Sequence, residues 1–287
     1  MREAYIMTNR NITMKSPKAD VLAELLKHRY AHRGLHKKPA IPENSMAAFR
    51  LAVEKGFGME MDLHLTKDGK LAVIHDASLL RTAGVVLIIE DLTLEEAQKY
   101  VLEESEGEVI PDFQDLLDLV AGQVPLIVEL KVGKTSEGVD TTDALCCKAA
   151  EMMDAYTEKY SASAPTLWCI ESFSPTAVKW FRMNRPDIIR GQLAGDINHD
   201  KPTITPFQNF LVRQLLINFI SKPDFVAYNY RDRFDGGVRR WKGPLFYYTI
   251  KSYEDLMELE ERGAAGIFEQ FDPSAAAART KTAAKQR

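Results

Sequence analysis

The sequence predicts a (β/α)8 TIM barrel with a small insertion after the second strand, and three observations carry that prediction. Segments of parallel-strand character begin near residues 30, 58, 125, 167, 188, 224, 245 and 266, which makes eight. From Pro111 onward they alternate regularly with amphipathic helical segments, the pattern of a parallel sheet covered by helices. One further strand-like run, Leu71–His75, follows the hairpin signal Lys67-Asp68-Gly69-Lys70 and so returns antiparallel, outside the barrel count. Residues 1–287 are therefore read as a single barrel domain, with 1–29 as a leading segment and helix, 77–110 as the insertion and 273–287 as a basic C-terminal helix or tail.

In chain order, Val21, Leu22, Leu25 and Leu26 fall at helical spacing after a Ser16 cap, a helix placed to close the bottom of the barrel. Tyr30-Ala31-His32 reads as the first strand, ending at Gly34. Asn44 or Ser45 caps the next helix, whose face is Met46, Phe49, Leu51 and Val53 and whose end is Gly56. Gly58–Leu65 is the second strand; the Asp68-Gly69 pair suits a turn in which two adjacent residues take positive φ. Within 77–110, residues 85–89 fit a strand or a covered loop, and Thr93 opens a capping-box helix running to about Leu102. Helices are then expected over 113–120, 142–158, 175–183, 206–220 and from a Ser252 cap to Gly263, between strands at 125–130, 167–171, 188–193, 224–228, 245–249 and 266–269.

Composition narrows the classes of partner. The apolar share of 45% and charged share of 27% suit a chain that buries a large core. A formal net charge of -4 calls for no nucleic acid. Cys146, Cys147 and Cys169 are odd in number and lack metal-ligand spacing, so reduced thiols are expected, with the vicinal pair packed as two small hydrophobes. Residues 1–20 hold no apolar run of signal-peptide or transmembrane length, and the reading is a cytoplasmic protein without stable membrane insertion.

Chemistry-bearing residues concentrate between Ala31 and Thr82. Side chains two apart on a strand share a face, so Glu60 and Asp62 point the same way, as do Glu129 and Lys131. Carboxylates are costly to bury alone, and a hard divalent cation taking oxygens from Glu60, Asp62 and Glu129 would resolve that cost. A rim network of these acids with Arg33, Lys131 and Lys67 is the plainer alternative. His32 and His75 each end a strand, where imidazoles with a pKa near ~6.5 suit proton transfer across a bound phosphate. Arg33 offers a forked donor to phosphate oxygens, or an ion pair to Glu43. His64 alternates with Asp62 but lies nearer the hairpin and reads as structural, as do Trp168, Trp180 and Trp241.

These residues stand in recognisable runs: His32-Arg33-Gly34, Pro42-Glu43-Asn44-Ser45, Glu60-Met61-Asp62, Thr66-Lys67-Asp68-Gly69 and His75-Asp76, with Glu129-Leu130-Lys131 beyond them. In that order and spacing they resemble the glycerophosphodiester phosphodiesterase family. The resemblance implies a barrel that hydrolyses glycerophosphodiesters to glycerol 3-phosphate and an alcohol. It implies His32 and His75 as paired acid and base, Glu60, Asp62 and Glu129 as ligands of Mg²⁺ or Ca²⁺, and Arg33 and Lys131 as phosphate-binding groups. Two alternatives are a phospholipase D-like hydrolase of lysophospholipids, which needs an apolar groove or membrane-facing loops, and a non-catalytic phosphodiester-binding barrel. The sequence departs from the family at Tyr248-Thr249-Ile250, at Phe268-Glu269-Gln270-Phe271 and at Glu171 before Ser172. These departures imply an altered glycerol or alcohol pocket, with Tyr248 as a rim aromatic and Glu171 as a partner for Lys131 the simpler alternatives.

Overall fold

A computed structural model describes residues 17–275, apart from 38, 163–164 and 200–202. The Ser16 cap and the basic residues Arg279, Lys281, Lys285 and Arg287 lie outside the described residues. Helix α1 (Pro17–Leu25) leads into β1 (Tyr30–Ala31), α2 (Met46–Lys55), β2 (Gly58–Leu65) and β3 (Leu71–Val73). Two short helices, α3 (Leu80–Ala83) and α4 (Leu94–Ala97), sit in the insertion. The regular part follows: α5 (Phe113–Val120), β4 (Leu126–Leu130), α6 (Thr142–Tyr160), β5 (Trp168–Ser172), α7 (Pro175–Asn184) and β6 (Arg190–Ala194). Next come α8 (Pro206–Arg213), α9 (Asn218–Ser221), β7 (Phe225–Asn229), α10 (Gly236–Arg240), β8 (Leu245–Ile250), α11 (Tyr253–Glu261) and β9 (Ala265–Phe268).

Closure rests on β1, which pairs in parallel with both β2 and β9. The remaining parallel neighbours run β2-β4-β5-β6-β7-β8-β9, so eight strands close on themselves. Strand β3 stays outside, antiparallel to β2 with Leu63 opposite Val73. Alternation along each strand separates two cores. Met59, Met61, Leu63, Val128 and Ile170 pack outward with helix residues such as Phe49 and Phe113. Tyr30, Ile127, Cys169, Phe225, Phe246 and Ile267 fill the barrel, and Leu22 and Leu25 of α1 join that same cluster. The leading helix therefore closes the floor. Register then places Glu60 beside Ile127, Asp62 beside Glu129, and Glu129 beside Glu171. Apolar side chains occupy the lower barrel and carboxylates its upper end.

Several local expectations need correction. Only Gly69 of the hairpin takes positive φ; its N–H closes on the Thr66 carbonyl at 2.9 Å, so the turn spends one left-handed residue rather than two. The fully buried residues of α2 are Ala48, Phe49 and Ala52, where small side chains let the helix approach the turn at Gly34, while Met46, Leu51 and Val53 pack half-buried against the same core. The segment 85–88 is a loop bridged from Ile88 to Ser78, with Val86 exposed, and Ile89 turns inward at the start of a short 3-10 turn. Helix α4 keeps its Thr93 capping box but stops at Ala97. The expected helix over 206–220 breaks in two: Leu215 takes φ 58 and the Leu216 N–H reaches back to the Leu211 carbonyl at 2.9 Å, a Schellman-type stop with leucine where glycine is usual. Cys146 is buried, but its neighbour Cys147 is exposed, so the pair does not pack as a unit. Among the described residues no helix is long and apolar enough to cross a membrane.

Because Leu25 is fully buried under the barrel, Leu25→Ala is expected to cost ~2–5 kcal/mol, read from urea unfolding. A loss below ~1 kcal/mol would mean that α1 does not plug the floor.

Candidate active site

The upper end of the barrel gathers every site residue predicted from sequence around one cavity of about 330 Å³, lined by His32, Arg33, Glu60, His75, Glu129 and Lys131 among others. Asp62 lies at its edge, 3.0 Å from Lys131 Nζ. The cavity begins with a sharp turn after β1. Arg33 and Gly34 both take positive φ, and a Cβ on Gly34 would meet the Ala48 side chain at 2.9 Å. Glycine is therefore required there. The turn aims the Arg33 N–H at Glu60 Oε2, 3.0 Å away. Asn44, also left-handed, donates its backbone N–H to the Arg33 carbonyl and its side-chain amide to Asp62 Oδ2 at 2.7 Å.

Each histidine is gripped by a carboxylate. His32 Nδ1 lies 2.9 Å from Glu269 Oε2. Although Glu269 is partly buried, its bonds to His32, His36 and Lys251 hold its carboxyl far below the usual range, so Glu269 accepts and Nδ1 carries the proton. Nε2 is then the free nitrogen, 3.9 Å from Glu60 Oε2. His75 Nδ1 lies 2.5 Å from Asp76 Oδ1, and Arg81 Nε bonds the other oxygen of Asp76. Burial, followed by the Lys131 charge, pushes His75 down to about 4; burial and Arg33 lower His32. Glu43 joins the two halves, accepting from Arg33 Nη1 and Arg81 Nη2, each at 2.7 Å.

The acids separate by environment. Burial alone would raise Asp62, but Lys131, His75, Arg33 and Asn44 hold it well below the ordinary carboxylate range. Glu60 is raised well above it by burial and by the charges of Asp62, Glu129 and Glu171. Burial outweighs Lys131 at Glu129 and lifts it to about 7. Lys131 Nζ lies 2.6 Å from Glu129 Oε1, and its ion pairs are with Glu129 and Asp62 rather than with Glu171. Glu171 is itself buried and raised by burial and by Glu129, and its Oε2 has no hydrogen-bond partner.

A divalent cation fits this donor set. One oxygen each from Glu60, Asp62 and Glu129 lies within 4.8 Å of the other two. Glu60 Oε1 is buried without a hydrogen-bond partner, a costly state that a hard cation relieves. Sequence reasoning gave no site role to Asn44, Asp76 or Arg81, and read Glu269 as a change to the substrate pocket rather than as the partner of His32. Adjacency to His75 was an available signal for Asp76; Glu269 reaches His32 only through the β1–β9 closure. His64 sits behind the site, paired with the buried Glu90 at 2.6 Å, its Nε2 3.2 Å from the His75 carbonyl oxygen.

The chain matches the model of the glycerophosphoryl diester phosphodiesterase family over residues 32–271. A glycerophosphodiester phosphodiesterase of Caldanaerobacter subterraneus is 41% identical over 110 residues, a match spanning 36% of this chain and 44% of that protein. YhdW of Bacillus subtilis is 32% identical over 250 residues, covering 84% of this chain and 93% of its own. An Oleispira antarctica phosphodiesterase, solved with its product sn-glycerol-3-phosphate, superposes with a TM-score of 0.68 at 20% identity, over 90% of this chain and 99% of that one. That likeness is one of fold.

With Glu129 raised to about 7 and Glu60 pushed well above the ordinary carboxylate range by burial, cation binding must displace protons. Calorimetric affinity for Mg²⁺ or Ca²⁺ is expected to fall about tenfold per pH unit below neutrality for each proton displaced. Heats that are the same in buffers of different ionisation enthalpy, with affinity flat from pH 5 to 8, would show that these acids are not the ligands.

Proposed function

The chain belongs to the glycerophosphoryl diester phosphodiesterase family, and from that premise we propose that it hydrolyses glycerophosphodiesters to glycerol 3-phosphate and an alcohol by metal-dependent, paired-histidine acid/base catalysis. The observation that carries this reading is that two imidazoles, each fixed at Nδ1 by a carboxylate, border one cavity with Arg33, Lys131 and the three acids. The whole barrel acts as one catalytic unit on a small-molecule substrate. From its composition we also propose a cytoplasmic enzyme with no nucleic-acid partner.

The division of labour follows from charge. Arg33 and Lys131 place positive charge around the cavity and favour a phosphodiester anion there. The same two cations contribute to lowering the histidines, Arg33 at His32 and Lys131 at His75. An anionic substrate opposes that effect, so its arrival favours protonation of an imidazole that is otherwise neutral. One histidine then takes a proton from the nucleophile while the other delivers one to the leaving alkoxide. Glu269 and Asp76 keep the rings oriented and their Nδ1 protons in place, which leaves each Nε2 to do the transfer. A divalent cation held by Glu60, Asp62 and Glu129 would supply Lewis-acid stabilisation of charge on the non-bridging phosphoryl oxygens. Glu171, beside Glu129 and itself pushed towards the neutral acid, adds a further carboxyl to the cation's side of the site.

Release of glycerol 3-phosphate from a panel of glycerophosphodiesters, with and without chelator, tests this reading. Wild-type turnover is expected to need a divalent cation and to fall by ~100-fold or more in His32→Ala and His75→Ala. Full activity in His75→Ala would sink the two-histidine mechanism. Binding without turnover under every divalent cation would favour a non-catalytic barrel. Glu269→Gln is expected to lower kcat by roughly tenfold or more with KM little changed, since it touches His32 rather than the cavity; an equal rise in KM would argue that Glu269 contacts substrate.

A further inference from the structure

Beside the polar cavity lies an apolar groove of about 1190 Å³, walled on one side by the start of the insertion at Leu80 and on the other by α8 with its flanks, Leu211 and Ile217 among them. The outer side of that second wall inverts the usual placing of residues. In α8, Asn209 takes a buried position, its side-chain carbonyl accepting from the Ile197 N–H at 3.0 Å and its amide donating to Asp196 Oδ1 at 2.7 Å. Phe207 and Phe210 of the same helix stand in solvent, Phe207 at 69% exposure. The helix stop at Leu215 turns that leucine inward and leaves Leu216 exposed, and Phe219 of α9 is 76% exposed. Helix α9 packs against α7, whose Met183 is exposed as well. Single exposed apolar residues are ordinary, but five large ones on three neighbouring helices call for something that covers them.

Charge is distributed just as unevenly. Helix α7 and the run 206–222 contain no Asp or Glu, although acids make up 41 of the chain's 287 residues. They do contain Lys179, Arg182, Arg213 and Lys222. Arg213 is neutralised by Asp235 and Asp196, which leaves Lys179, Arg182 and Lys222 to give these helices their net positive charge. Lys179 and Met183 are one turn apart on α7 and so share a side of it, and Lys222 follows Phe219 by three residues. The acids that follow the helices do not offset this charge, since Asp187 pairs with Arg185 and Asp224 with Lys18.

We propose that α7, α8 and α9 form a surface that docks the barrel reversibly onto an anionic lipid bilayer. Phenylalanines beside lysines, with acids excluded, fit a partner that is negative at its surface and apolar just beneath it. The chain as a whole carries a formal charge of -4, so attraction to such a surface has to come from a local patch, which also fixes the orientation of docking. A second copy of the chain fits less well. A two-fold interface sets one patch against itself, and Lys179, Arg182 and Lys222 would meet their own equivalents. With eight residues in α8 and four in α9, neither helix approaches the ~20 needed to span a bilayer, so contact stays at the interface. Leu211 and Ile217 belong to the same run and line the groove beside the polar cavity, so docking brings the barrel mouth close to the bilayer. Docking is independent of the hydrolysis proposed above and can be measured by binding alone.

The test is co-sedimentation of the protein with vesicles of phosphatidylcholine alone and of phosphatidylcholine mixed with phosphatidylglycerol. Partition is expected to be ~10-fold or more stronger on the phosphatidylglycerol vesicles and to weaken as salt rises past ~0.1 M, where surface charges become screened. Phe207→Ser combined with Phe219→Ser is expected to lower partition by ~10-fold or more, because the burial of two rings is lost. Lys179→Glu combined with Lys222→Glu is expected to abolish the preference for phosphatidylglycerol. All four positions are exposed, so the unfolding midpoint of each pair is expected to match the wild type, and either pair decides the matter if the other fails to fold. Equal partition onto both vesicle types, binding to neither, or binding that the folded variants keep overturns the proposal. So does a dimer in sedimentation velocity that the phenylalanine pair dissociates while vesicles bind nothing, which assigns the face to a second copy of the chain.

Discussion

Four carboxyl groups share the buried upper end of the barrel, and the cost of holding that much negative charge out of water governs what surrounds them. Glu60, Asp62, Glu129 and Glu171 are each less than a tenth exposed. Strand register forces the closeness, since Asp62 pairs with Glu129 and Glu129 with Glu171. Side chains that alternate inward cannot avoid one another across neighbouring strands. The fold answers with Lys131 between Asp62 and Glu129, with Arg33 folded over Asp62, and with Asn44 donating to the same carboxylate. Asp62 absorbs most of this help and stays ionised, while its neighbours are pushed towards the neutral acid. A divalent ion would offer the acids that remain uncompensated what the protein's own cations give to Asp62.

The same charges tie the site to the insertion. Glu43, from the run before α2, holds Arg33 of the β1 turn and Arg81 of the insertion together, and Arg81 passes the connection to Asp76 and His75. The insertion packs Leu79, Ile89, Leu94, Ala97 and Leu102 into a small core with Ala72 and Ile74 of the return strand and its end, so it presents Arg81 from a packed element. It therefore serves two regions at once. Its inner edge braces one histidine, and Leu80 on its outer edge forms a wall of the apolar groove. Precise placement of catalytic groups by packed supports is a general requirement of proton transfer at a phosphate.

Much of this was legible in the residues. Period-two patterning placed Glu60 and Asp62 on one face, and strand counting gave eight strands with Leu71–His75 left outside, of which the structure makes Leu71–Val73 a strand, because both depend on local spacing that side-chain geometry enforces. What stayed hidden depended on contacts distant in sequence. Glu269 stood out only as an unusual residue on the last strand, and only barrel closure shows that it grips His32. Leu215 carries no composition signal for a helix stop, since a leucine with positive φ is tolerated for reasons of tertiary packing. The space of about 1190 Å³ beside the polar cavity was illegible for the same reason: Val132, Ile204 and Ile217 look like ordinary core residues until the broken helix and the insertion are set opposite each other.

The bond between His32 and Glu269 joins the beginning of the sheet to its end. Strand β1 finds neither its second neighbour nor the acceptor for its histidine until β9 has been made and docked. Long-range pairing of this kind forms late, since the intervening chain must first be brought into register. Most of the polypeptide emerges from synthesis before the imidazole of His32 has a fixed tautomer. On the proposed mechanism, hydrolytic competence would thus be one of the last properties the folding chain acquires, since a chain lacking the final strand has no Glu269 to hold His32.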